Sequence, residues 1–161
     1  MYPFKRNARP LCCLHGVVLA AAVIVAGCAP GLAQAQACGG NSTVDILGAQ
    51  TATGARVFLA QLKTAVRAND KEKIESMIAY PLLLIQRSGA RTHIRRKEAF
   101  LQGYQRLLTP SIRDAILHQT ARCLFGNSSG AMVGDGQVWF REQAAGDWKI
   151  TTVNQSIAGH N

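Results

Sequence analysis

Between residues 55 and 117 the apolar side chains recur every three or four positions, broken once, and from residue 122 they gather into β-like runs divided by turn residues. Phe58, Leu59, Leu62 and Val66 form one face of a first helix ending near Asn69. Asn69, with Glu72 three residues on, caps a second helix, whose buried stripe is Ile74, Met77 and Ile78. Tyr80-Pro81 stops it, because a proline disfavours helical backbone at the residue before it. Residues 82–86 and 92–94 flank Ser88-Gly89 and read as a hairpin. Phe100, Leu101, Tyr104, Leu107 and Leu108 mark a third helix over residues 97–108; Thr109-Pro110 interrupts it, and Ser111 caps a shorter one carrying Ile112, Ile116 and Leu117. Residues 122–125, 131–141 and 148–154 then read as strands, parted by residues 127–130 and by Ala145-Gly146-Asp147. Helices and strands are segregated instead of alternating, so the expected class is α+β with an antiparallel sheet wrapped against three to four helices.

Composition has to be split before it means anything. The chain has 161 residues, with 18 Lys and Arg against nine Asp and Glu. Lys5, Arg6 and Arg9 stand in an acid-free start, and residues 11–27 then run without a charge. This is an export-signal layout. The chain beyond residue 37 carries net +6 and has the size and polarity of one globular domain. Two processing sites fit. Val25-Ala26-Gly27-Cys28 resembles a lipobox, with Cys28 lipidated; Ala33-Gln34-Ala35 or Ala35-Gln36-Ala37 has the small-x-small form of general signal peptidase sites. The expected division is export segment or lipoprotein signal 1–37, flexible leader 38–54 with a short strand or turn at residues 44–47, folded domain 55–156 and tail 157–161. Localisation is then periplasmic or membrane-anchored in a bacterial envelope, with membrane contact only through a lipid at Cys28.

Outside the cytoplasm thiols can be oxidised. Cys12 and Cys13 fall in the discarded segment, leaving Cys38 and Cys123 besides Cys28. A bridge between them would close most of the exported chain into a loop, worth about 4 to 5 kcal/mol by loop entropy. The alternative is a free Cys38 in the leader and an inert, buried Cys123.

Three strings, Asn69-Asp70-Lys71-Glu72, Tyr80-Pro81 and the run from Gly130 through Asp135 to Trp139, together with the element order, resemble the nuclear-transport-factor-2-like superfamily of cone-shaped α+β domains, in its small exported bacterial members. That resemblance implies a curved sheet around a cone-shaped cavity, and in the enzymes of the superfamily an Asp or a His–Asp pair inside it. Asp135, between Gly134 and Gly136 in a long strand, is the candidate base, with His93 or Tyr104 assisting an isomerase or dehydratase. A Gly-Asp-Gly step also serves simply as a bulge. Tyr80, Tyr104, Asp135 and Trp139 are candidate ligand-lining residues, although at these helical and strand positions packing is the better explanation of the aromatics.

Arg87, Arg91, Arg95, Arg96 and Lys97 place five cations in eleven residues without an acid. They read either as a solvated hairpin face or as a patch for an anionic partner, including the docking face of an immunity or inhibitor protein. No nucleic-acid reading motif, phosphate loop, nucleophile elbow or ligand-spaced histidine pair is present, so neither cofactor nor metal nor nucleic acid is expected. The leading expectation is a non-catalytic envelope domain binding a small ligand or an envelope protein, with oligomeric state open, a dimer included. Alkylation of the unreduced protein followed by mass spectrometry tests the bridge: neither Cys38 nor Cys123 should be labelled, and labelling of both refutes it.

Overall fold

A computed structural model describes Cys38 and residues 43–157. The export segment, both processing sites and Cys28 lie outside the described residues. A single 3-10 turn, Val44–Leu47, leads into α1, Ala49–Ala68; α2, Lys71–Ser76, comes next, then the hairpin β1, Ile78–Ile85, and β2, Arg91–Ile94. After α3, Lys97–Leu107, and α4, Pro110–His118, a 3-10 turn at Ala121–Cys123 precedes β3, Phe125–Asn127, β4, Gly130–Val133, β5, Val138–Ala144, and β6, Asp147–Asn154. The class is α+β. Among the described residues no helix is long and apolar enough to cross a membrane.

The helices pack on one face of a curved six-stranded sheet of order β2-β1-β6-β5-β4-β3. All neighbours are antiparallel except β1 and β6, which run parallel. The sheet is therefore mixed, where an antiparallel one was expected. Its signature was present, since a central strand reads as a nearly unbroken apolar run, as Ile78-Ala79-Tyr80-Pro81-Leu82-Leu83-Leu84-Ile85 does. Ile78, Ala79 and Tyr80 accordingly belong to β1 and not to a helix. Pro81 falls in the stretch where the β1/β6 register shifts, between Ile78 and Leu83, a place where a missing N–H does no damage to the ladder.

Helix ends also differ from the expected caps. Asn69 is the left-handed residue that ends α1, with φ 52°, and its own N–H bonds to Val66 O at 3.1 Å. Asp70, not Asn69, caps α2 by accepting from Lys73 N at 2.8 Å. Thr109 caps α4 through its hydroxyl, and Pro110 occupies the first helical position, where its missing donor costs nothing.

Side chains from both layers fill the space between sheet and helices. Leu82, Leu84, Val133, Val138, Phe140, Ile150 and Val153 on the sheet meet Phe58, Leu59, Leu62, Phe100, Ile112 and Ile116 on the helices, all buried. Phe58 and Phe140 stack at 4.8 Å between ring centroids, and Phe140 meets Trp148 edge-on at 5.8 Å. Such aromatic contacts add roughly 0.5–1.5 kcal/mol to the area they bury.

Residues 43–54 belong to this body and are not a tether. Ala52 and Ala55 are fully buried, so α1 begins six residues before the first large apolar group suggested. Thr43 bridges to Phe125, Val44 N donates to Leu124 O at 2.7 Å, and Val44 is fully buried. Gly126 allows that approach: a Cβ there would lie 2.7 Å from the Val44 Cα. Arg56 Nη2 reaches both Asp45 carboxylate oxygens at 2.7 Å, and Arg56 Nε donates to Ala121 O at 3.3 Å. The Cys38 and Cys123 sulfurs, 2.03 Å apart, join the same region as a disulfide.

The Arg56 guanidinium and then the Thr43 hydroxyl hold the Asp45 carboxyl below its ordinary value of 3.8. A depressed native value stabilises the fold above 3.8 and loses that contribution as pH falls through the lowered value. In urea titrations Asp45→Asn should therefore be less stable than wild type at neutral pH, and the two should converge in acid. A difference that persists unchanged in acid would show that the ion pair is not its origin.

Candidate functional site

The expected catalytic and ligand-lining residues do not converge. Tyr104 lies in α3 with its ring buried; its hydroxyl donates to Asn69 Oδ1 at 3.3 Å and accepts from Arg113 Nη1 at 3.3 Å. Arg113 also donates to Asn69 Oδ1 at 2.7 Å and to Val66 O at 3.2 Å, so this cluster fastens α4 to the end of α1. Burial raises the Tyr104 hydroxyl pKa against the opposing Arg113 charge. Tyr80 donates to Glu75 Oε1 at 3.2 Å, and burial followed by that carboxylate pushes its hydroxyl well above the ordinary tyrosine value. Both phenols stay protonated in the neutral range and are engaged in holding helices.

Asp135 sits exposed in the turn between β4 and β5, not within a strand, and its backbone N–H donates to Gln137 Oε1 at 2.6 Å. The run from residue 131 to 141 is thus two strands and a tight turn. His93 is exposed on β2. The cross-strand row His93, Leu83, Thr152, Trp139, Met132, Phe125 spans the sheet face away from the helices. His93 and Trp139 are three strands apart on it, about 14 Å at the usual strand spacing. Trp139 packs edge-on against Phe125 at 6.2 Å. Asp135, His93 and Tyr104 therefore occupy a turn, an outer edge and the interior respectively. His118, near the end of α4, directs Nδ1 to Asp114 O of its own helix at 2.8 Å. Among the described residues there is no group of three or more His, Cys, Asp or Glu side chains able to hold a metal.

The five cations, by contrast, do assemble. Gln86 N donates to Ala90 O and Gly89 N to Gln86 O, each at 2.8 Å, closing a tight turn with Arg87 at its tip. β2 then pairs Ile94 with Leu82 and Thr92 with Leu84 on the core side, leaving Arg91 and His93 on the outer face opposite Ile85 and Leu83. Arg95 and Arg96 form the link to α3, and Lys97 opens that helix. All five are exposed. Lys97 Nζ lies 3.6 Å from Glu75 Oε2; among the described residues Arg87, Arg91, Arg95 and Arg96 have no ion-pair or side-chain hydrogen-bond partner. Four cations thus project from one short edge strand and its flanks.

A second feature was not legible in the sequence. α1, α2 and the β5–β6 hairpin border a groove of about 350 Å³ lined by Gly54, Val57, Lys73, Met77, Trp148 and Lys149 among others. Trp148 closes its floor, and the indole Nε1 is buried without a hydrogen-bond partner among the described residues. The available signal was Gly54, which lies inside α1: a Cβ there would come within 2.6 Å of that Nε1.

Comparison with known proteins yields no match to a family model, to a curated protein or to a solved structure. The likeness to the cone-shaped superfamily thus rests on the element order and on the three strings that carry it.

Gly54→Ala sets two effects against each other. Alanine gains about 1 kcal/mol of helix propensity, while forcing the indole out of a packed position costs about 1–3 kcal/mol. The clash should win, giving a net loss of stability together with a red shift of tryptophan emission. An unchanged or raised stability with unshifted emission would mean that the indole does not rest on Gly54.

Proposed function

We propose that the protein is an exported envelope domain that binds an anionic protein partner through its basic hairpin and acts without catalysing a reaction. One observation carries this reading: Arg87, Arg91, Arg95 and Arg96 project from one edge of the sheet with no partner among the described residues. Like charges gathered on one face repel each other, and an acidic surface relieves that repulsion while steering association. Export is supported by the charge-free run of residues 11–27 behind Lys5, Arg6 and Arg9, and by the Cys38–Cys123 bond, which persists in oxidising surroundings. Within the cone-shaped superfamily that the sequence resembles, this would be a member whose interior serves as a core. The packing of Phe58, Phe100 and Phe140 supports that assignment over a ligand held in the cone.

Each exposed charge contributes little alone, about 0.2–1 kcal/mol, so the patch must act collectively. The test uses the purified protein and immobilised poly-L-glutamate as the anionic chain. Wild type should be retained at low ionic strength and released as salt screens the contact. Arg95→Glu with Arg96→Glu should weaken retention about tenfold, whereas Arg67→Glu with Arg122→Glu, an equal charge change elsewhere, should not. Equal retention by both double variants would reject the hairpin as the contact. Turnover of activated ketones that disappears in Asp135→Asn would overturn the non-catalytic reading.

A further inference from the structure

We propose that β2 is a docking edge to which an extended acidic segment of the partner adds as a seventh strand. This rests on the basic-hairpin reading and specifies the form of the partner. β2 lies at the end of the strand order and is paired on one side only, with β1. The bond from Gln86 N to Ala90 O sets the phase of that ladder. Hydrogen-bonded and non-bonded pairs alternate in an antiparallel ladder. Leu84 with Thr92 and Leu82 with Ile94 are therefore the bonded pairs, and the N–H and C=O groups of Arg91 and His93 point away from β1. Arg91, Thr92 and His93 are exposed, so this edge is open to solvent.

An added strand that bonds to Arg91 and His93 places its own residues directly opposite them, with Cβ atoms about 4.5–5.5 Å away on the same face. Opposite Arg91 the complementary residue is Glu or Asp, and the same holds two positions along, where Arg95 and Arg96 add positive charge. Arg87 supplies it at the other end. The partner segment is thus acidic at alternate positions. Two outward residues offer at most four ladder bonds, too few to hold a flexible chain, so charge has to contribute. A basic edge also disfavours pairing with its own copy, which would set Arg against Arg. The cations that block self-association are the ones that select an acidic strand.

The probe is an acetylated, amidated hexapeptide of alternating Glu and Thr, set beside a copy N-methylated at each Glu. Methylation removes the donors the edge needs and leaves the charge intact. Saturating unmethylated peptide should slow amide exchange of Arg91 and His93 at least tenfold while Thr92, already in the ladder, changes little. The methylated copy should bind at least tenfold more weakly. His93→Pro deletes one outward donor at an edge position where proline is tolerated, and should lower affinity tenfold with the melting temperature nearly unchanged. Equal binding of the two peptides with no protection at Arg91 and His93 would reject strand addition while leaving charge-driven docking in place. No binding of either peptide at millimolar concentration would reject both. Should the proline variant fail to fold, amide protection in the wild-type chain still decides.

Discussion

β1 and β6, the first and last strands among the described residues, run side by side, with Ile150 N donating to Met77 O and Gln155 N to Ile85 O, each at 2.8 Å. This parallel ladder fuses a two-stranded hairpin to a four-stranded meander, and both depend on it. An isolated hairpin is marginal in water, and a meander with one apolar face needs a layer to cover it. Once joined, Leu84 and Val153 stand opposite each other on the core side, and α1, α3 and α4 close over a single apolar surface. The same pairing leaves β2 as an outer edge, because β1 has its other side occupied. The exposure of the basic residues is thus a consequence of a contact made elsewhere.

Polar side chains at the seams between elements are paired with one another. Glu75 is almost fully buried, yet it meets the Tyr80 hydroxyl on one oxygen and Lys97 on the other. Arg113 of α4, Tyr104 of α3 and Asn69 at the end of α1 satisfy one another where the three helices meet. Groups paired in this way tie elements together.

Much of the helical layer was legible. α3 matched its sequence reading almost residue for residue, because Phe100, Tyr104 and Leu107 repeat on one face with a proline just beyond. The hairpin and its basic arm were equally plain, since β-rich residues flank a Ser-Gly turn. Other features were hidden for particular reasons. The start of α1 was masked because Ala52 and Ala55 bury no large group and so leave no periodic mark. Asn69 and Asp70 are adjacent and both suit a helix end, so local chemistry could not assign which residue closed one helix and which opened the next. Asp135 looked like a strand residue because Ala131-Met132-Val133 and Val138-Trp139-Phe140 read as one run until the chain turned between them.

By itself the sequence determined the class and the clustering of positive charge, since each depends on residue type and local spacing; it left the Cys38–Cys123 bridge open, and the fold closed it. The tertiary structure alone decided which strands became neighbours, and so which side chains share a surface. Parallel pairing of β1 and β6, the scattering of Asp135, His93 and Tyr104, the seat of Trp148 on Gly54 and the open side of β2 all arise from long-range packing. Period and composition report which face of an element is buried; they carry no information about the element it is buried against.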